Sequence, residues 1–165
     1  ADIYQAGLTI YRLCNGSNLF KNQLKGIGSV AELHNRISKG IFPDRKYFYP
    51  HIPQKLREII RKAIEINPND RYSSFIEMLN DLSKINENLD WNLKVLPGGT
   101  HVWSLDANNK FYHVTLSKNP DNTNKIETTK TMKSSGNKTI EHSNCEKNIS
   151  NAKMDARLKK ILKSY

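Results

Sequence analysis

The sequence predicts an α+β chain: a helical first half, then a small antiparallel β-sheet unit with a basic terminal helix. Three observations carry this expectation. Up to about residue 86, apolar side chains recur at the three-and-four spacing of core-facing helices. From Asp90 onward the period falls to two, with Trp91, Leu93 and Val95 alternating with Asn92 and Lys94. Helical spacing then returns over Ser150 to Tyr165, where Met154, Leu158, Ile161 and Leu162 share one side and Lys153, Arg157, Lys159, Lys160 and Lys163 make the helix basic. The expected organisation is 1–88 helical, 89–149 sheet and 150–165 terminal helix.

Asp2 to Gly16 reads as the opening helix. Asp2 is able to cap its start, and Gly16 after Asn15 supplies a left-handed residue at its end. Only Gln5, Thr9 and Arg12 are clearly polar, so the helix is expected to be buried nearly all round. Ser17 to Gly28 reads as a polar loop. Ser29-Val30-Ala31-Glu32 has capping-box spacing, Val30, Leu33 and Ile37 follow on one face, and Gly40 marks the stop. Ile41 to Ile52, with Phe42, Tyr47, Phe48, Tyr49, Pro43 and Pro50, predicts an ordered, aromatic-anchored loop. Pro53 suits a first helical turn, after which Leu56, Ile59, Ile60, Ala63 and Ile64 face a core and Lys55, Arg57, Glu58, Arg61 and Lys62 lie outside. Asn67-Pro68 ends this helix. Ser74 to Glu77 is a second capping box, opening a helix striped by Phe75, Met78, Leu79, Leu82 and Ile85.

In the second half, Pro97 to Thr100 reads as a reversal, and His101–Leu105 and Lys110–Leu116 as strands across Asp106-Ala107-Asn108-Asn109. Ser117 to Asn124 is a polar loop. Lys125–Met132 and Lys138–His142 predict two further strands around Ser134-Ser135-Gly136-Asn137.

Composition narrows the function classes. The chain has 165 residues, 37% of them hydrophobic, and a mean hydropathy of −0.67, which is polar but not disordered throughout. No run approaches the roughly 20 apolar residues of a membrane span, and no secretory leader is expected. Cys14 and Cys145 stand in unrelated contexts, so a reduced, cytoplasmic protein is expected. A chain that opens on a buried helix suggests a fragment of something longer. Residues 1–90 carry 13 basic and 10 acidic side chains, whereas residues 91–165 carry 13 and six. The basic excess therefore belongs to the second half, where it allows contact with nucleic acid or acidic surfaces.

The elements of the first half come in a particular order: Asp2-Ile-Tyr-x-x-Gly7-x-x-x-Tyr11-x-x-x-x-Gly16, a short helix, Ile41-Phe42-Pro43, Pro53 to Ile66, and Asn67-Pro68-x-Asp70-Arg71-Tyr72. Over residues 1 to about 86 this resembles the C-terminal part of the large lobe of the eukaryotic-type serine/threonine protein kinase domain. The resemblance implies that the opening helix is the central pillar of that lobe and that Asp2 hydrogen-bonds the catalytic loop. It also implies that Arg71 pairs with a glutamate at the end of the activation segment, and that Gly7 is a structural position. The intact protein would then transfer the ATP γ-phosphate to protein Ser/Thr hydroxyls with magnesium, its partners being the N-terminal kinase region and a protein substrate.

The residues that would do this chemistry are a Gly-rich loop, a strand lysine, a catalytic-loop Asp and Asn, and the Asp of Asp-Phe-Gly. None has a counterpart here. Gly26-Ile27-Gly28 and Pro97-Gly98-Gly99 lack the spacing and the following Lys-Ser/Thr of a phosphate loop. No catalytic, cofactor-binding or metal-binding residue is therefore expected in this chain. Residues 1–90 made alone are expected to be poorly soluble or partly unfolded, because each uncovered large apolar side chain forgoes about 1.5–3 kcal/mol of burial.

The second half resembles no family we name. An alternative function follows from it: a non-catalytic, kinase-like scaffold whose basic β extension binds nucleic acid or a protein. Trp103, Phe111 or Tyr112 would stack on bases, and Lys110, Lys118, Lys125, Lys130 and Lys133 would meet phosphates. Aromatic residues in strands are more often core. His142-x-x-Cys145, with His101 and His113 elsewhere, supplies only one of the paired short spacings of a zinc site. Asn15-Gly16-Ser17, Asn137-Lys138-Thr139 and Asn148-Ile149-Ser150 fit the glycosylation acceptor pattern, which has meaning only in a secreted chain.

Overall fold

The computed structural model describes residues 2–87 and 90–165, which belong to two compact units, Ala1–Glu87 and Asn88–Tyr165. The first contains four helices: α1 (Asp2–Leu24), α2 (Val30–Ser38), α3 (Gln54–Ala63) and α4 (Phe75–Leu82). Gly16, at φ 78° and ψ 152°, interrupts α1 as its position after Asn15 predicts. The helix resumes beyond it to Leu24, however, so Ser17 to Leu24 is helical and not loop.

What continues the helix is a tertiary anchor. Phe20 meets Phe42 edge to face at 5.3 Å, and Gln23 donates to the Tyr11 hydroxyl and accepts from the Asp44 amide, both at 2.9 Å. The opening helix is also less buried than its composition predicts. Only Gly7, Tyr11 and Asn15, one residue per turn, are buried, while Leu13 is 76% exposed. The reason is that neighbours cover a single side: Tyr11 joins Phe48, Ile52, Leu56, Ile60 and Ile64 in one cluster.

Both capping boxes form, with a variation. Ser29 and Ser74 accept from the amides of Glu32 and Glu77 at 3.1 Å. Each glutamate reaches back to the residue before the cap, to the amides of Gly28 at 3.0 Å and Ser73 at 2.9 Å. The aromatic loop is anchored through buried Phe42, Phe48 and Ile52. Arg57 corrects the expected outer face of α3. It is only 7% exposed, because its Nε donates to the Ile52 carbonyl at 2.8 Å and its Nη2 to the Tyr49 carbonyl at 3.0 Å, closing the loop onto the helix. Along α4, Met78 is buried and Leu82 and Ile85 pack inward, but Phe75 and Leu79 are 50% and 47% exposed.

The second unit is a six-stranded antiparallel sheet. Its strands are β1 (Asn92–Val95), β2 (His101–Ala107), β3 (Lys110–Lys118), β4 (Asn124–Met132), β5 (Lys138–Ile140) and β6 (Glu146–Ile149). The first five follow in order, and β6 shares the free side of β4 with β5. Strand β6 has no sequence signature because only Ile149 in it is buried, so no alternation is visible. The terminal helix α5 (Asn151–Lys163) lays Leu158, Ile161 and Leu162 on one sheet face, against Trp91, Trp103, Leu105, Val114, Leu116 and Ile126. The Trp91 indole N–H donates to the Leu162 carbonyl at 3.1 Å, fixing the helix at its end. No helix among the described residues is long and apolar enough to cross a membrane.

Both tryptophans of the chain lie in the sheet unit. Their fluorescence therefore follows the unfolding of that unit alone. Leu158→Ala, which empties a fully buried site, is expected to destabilise the tryptophan-reported transition by about 2–5 kcal/mol. The helical circular dichroism of the first unit should keep its own midpoint.

Candidate functional site

The three positions singled out by resemblance fall on two neighbouring parts of the helical unit. Gly7 lies at the crossing of α1 and α3. A Cβ on it would stand 2.7 Å from the Ala63 Cβ and 2.8 Å from the Ile64 Cγ2, closer than real side-chain contacts allow. Arg71 follows the 3-10 turn Pro68–Asp70. Its Nε donates to the Glu65 carbonyl at 2.7 Å and its Nη2 to the Ile66 carbonyl at 3.0 Å, while the guanidinium stacks 4.9 Å from the Tyr4 ring on α1. A planar fork meets two carbonyls and a ring face at once, which an ammonium cannot do. Arg71 thus closes the chain leaving α3 against α1. Asp2 is exposed in the first turn of α1, and its side chain makes no hydrogen bond or ion pair with another described residue.

Two open clefts flank this scaffold. One, of about 450 Å³, is lined by Gly40, Ile41, Asp44, Arg45, Arg61 and Glu65 among others; there Arg45 pairs with Glu65 at 3.1 Å and the Arg61 Nε donates to the Arg45 carbonyl at 2.9 Å. The other, of about 290 Å³, lies between α3 and α4 against Ile59 and Tyr72. Its rim is also internally paired, Lys62 with Glu77 at 3.0 Å and Lys84 with Asp81 at 2.7 Å. Burial, and then a hydrogen bond to Asp81, push the Tyr72 hydroxyl up to about 12. A proton held that tightly makes Tyr72 a structural donor rather than an acid catalyst at neutral pH. Burial pushes the Cys14 thiol up to about 11, which leaves it protonated and unreactive.

The sheet unit separates the aromatic candidates. Trp103 is 1% exposed in the core, and Tyr112 packs on Tyr165 with ring centres 4.4 Å apart, so neither is placed to stack on a base. Phe111 is 41% exposed. Of the lysines, Lys130 pairs with Glu141 at 2.7 Å, Lys125 with Glu127 at 2.9 Å, and Lys133 with Asp106. Cys145 is used structurally: its Sγ donates to the Glu141 carbonyl and accepts from the Thr128 amide, both at 3.3 Å. Among the described residues no three His, Cys, Asp or Glu side chains converge on a metal position.

Two residues with clear roles escaped the sequence reading, Arg57 and His51. Burial first, and then the nearby Arg57 charge, hold His51 down to about 4 from its usual 6.5. The folded state therefore favours the neutral ring. Its contribution is present in full above pH 6.5 and is lost as pH falls toward 4, an effect on the order of 3 kcal/mol. The helical unit is expected to lose stability across that interval, and His51→Gln to flatten the loss; denaturation followed by circular dichroism at stepped pH measures both. Gly7→Ala is expected to cost about 1–3 kcal/mol in the same assay, since Ala63 and the α3 backbone cannot yield without separating the helices.

Compared with protein-family models, curated protein sequences and solved structures, the chain gives no significant match.

Proposed function

We propose that the chain up to about residue 86 is the C-terminal part of the large lobe of a serine/threonine protein kinase. The intact enzyme would transfer the ATP γ-phosphate to protein hydroxyls, and this region would serve as its scaffold. The observation that supports the reading most is the joint placement of Gly7 and Arg71. One lets the pillar helix touch α3, and the other ties the turn after α3 back to that helix through Tyr4. Apolar surface left exposed on α1 and α4 points the same way. Leu13, Phe75 and Ile76 are 76%, 50% and 70% exposed, more than an isolated helical bundle needs.

On this reading Arg71 has guanidinium donors to spare for a carboxylate supplied by an activation segment, and Asp2 stands at the end of α1 where a catalytic loop would meet it. ATP and magnesium would be held by residues that precede this region in kinase chain order.

The test is a phosphotransfer assay. A protein that carries this region behind its upstream coding sequence should contain His-Arg-Asp with a following Asn, Asp-Phe-Gly and a strand lysine. It should pass labelled γ-phosphate to a protein substrate, and replacing the His-Arg-Asp aspartate by Asn should reduce transfer at least about a hundredfold, the lower end of the range for general-base loss. The 165-residue chain alone should transfer none. An upstream sequence without those residues, or measurable transfer by the isolated chain, would sink the proposal.

A further inference from the structure

We infer that the sheet face opposite α5 binds single-stranded nucleic acid, with Phe111 as the stacking platform and Lys138 beside it as the phosphate contact. This stands independently of the kinase reading. Strand register sorts the two faces. Trp103 opposite Val114 and Leu105 opposite Tyr112 point to α5, so Ser104 opposite His113 and Asp106 opposite Phe111 point the other way. Across β4 the same face continues with Thr129 opposite His113 and Thr131 opposite Phe111, and then with Ile140 and Lys138 on β5.

Phe111, Thr131 and Lys138 therefore form one row across three strands. The ring and the ammonium rise from backbones about 10 Å apart, two strand spacings. His113 lies two residues along β3 from Phe111. Lys138 stands near enough to help burial hold the His113 imidazole below its ordinary pKa, which keeps that ring neutral and able to donate or accept.

Composition of the face favours this occupant over an apolar one. Phe111 is the exposed aromatic, and its ring already receives a cation, the Lys133 ammonium at 5.0 Å. The surrounding accessible side chains include Ser104, Thr115 and Thr131, small hydroxyls suited to sugar and base edges, while Thr129 between them is buried. Charge is complementary as well. The face's two carboxylates, Asp106 and Glu127, are already bridged to Lys133 and Lys125, whereas Lys94 and Lys138 are exposed and have no salt bridge among the described residues. An acidic peptide would use the lysines but not the ring. A duplex would hide its bases from Phe111, so the ring selects unpaired bases.

The test is a titration of the full 165-residue chain into fluorescent oligomers of uridine and of thymidine, each of about a dozen nucleotides. Binding should weaken between about 50 and 200 mM salt. Phe111→Ala should weaken it about tenfold, and Lys138→Gln should weaken it and reduce the salt slope by about 0.7. Lys160→Gln, on the exposed side of α5, should leave it unchanged. Tighter binding of uridine would identify RNA and equal binding single strands in general; both support the inference. No binding of either oligomer would overturn it, as would a Phe111→Ala variant that binds like the parent or loss of binding through Lys153→Gln and Lys160→Gln instead. Equal affinity for an acidic peptide would overturn it in favour of a protein partner. An unchanged tryptophan-reported unfolding transition in each variant separates lost contact from lost fold.

Discussion

The helical unit depends on a contact that only a missing Cβ permits. With residue 7 a glycine, α1 settles onto Ala63 and Ile64 of α3, and the pairs that surround this crossing then become possible. Tyr11, one turn further along α1, meets Phe48 edge to face at 5.5 Å and donates to the Asp44 carbonyl at 2.9 Å. Arg57 and Arg61 on α3 lie over that same Phe48 ring, at 5.7 and 5.4 Å. If the helices moved apart by the width of a methyl group, the aromatic loop 41–52 would lose both of its walls together. The crossing thus fixes α1, α3 and the loop as one object, and Arg71 closes it from the other end through Tyr4.

The parts of this arrangement that were legible in the sequence were those that a short window determines. Ser29 with Glu32, and Ser74 with Glu77, announce helix starts because every bond of a capping box lies within five residues. The three-and-four stripe of Leu56, Ile59, Ile60 and Ala63 announces α3 because burial on one face needs nothing else. What escaped depends on partners far along the chain. The helix beyond Gly16 persists because Phe20 and Gln23 meet Phe42 and Asp44. Arg57 looks like an outward charge until the carbonyls of Tyr49, Pro50 and Ile52 converge on it. The opening helix was overestimated in burial for a related reason: composition says how many neighbours a helix would accept, not how many this chain gives it.

The sheet unit shows the same division. Alternation in β2 and β3 was readable because Trp103, Leu105, Val114 and Leu116 must all reach α5. The polar strands were harder. In β4 the fully buried Thr128 is accommodated by donating its hydroxyl to the Asn144 carbonyl at 2.7 Å, and β6 is held largely by backbone pairing, with the Asn119 amide reaching the Lys147 carbonyl at 2.8 Å. Threonine and asparagine here do what apolar residues do elsewhere, and a hydropathy pattern cannot register them.

Charge in this unit is distributed by the same logic. Each carboxylate that a lysine reaches removes that lysine from the surplus, and most reachable ones are taken: Glu141 by Lys130, Glu146 by Arg157 at 2.8 Å, Asp155 by Lys159 at 2.6 Å, and Asp106 by Lys133. Such exposed pairs contribute little stability individually, about 0–1 kcal/mol each. Their larger effect is on where the remaining positive potential lies, since a bridged lysine presents a nearly neutral pair to a ligand. A whole-chain net charge of +10 therefore says little about binding by itself. What matters is that an unbridged lysine, Lys138, stands in the same row as an exposed ring. That coincidence is set by the β3–β4–β5 register, because a one-residue slip in either pairing would turn one of them to the opposite face and put the ring and the charge on different sides of the sheet.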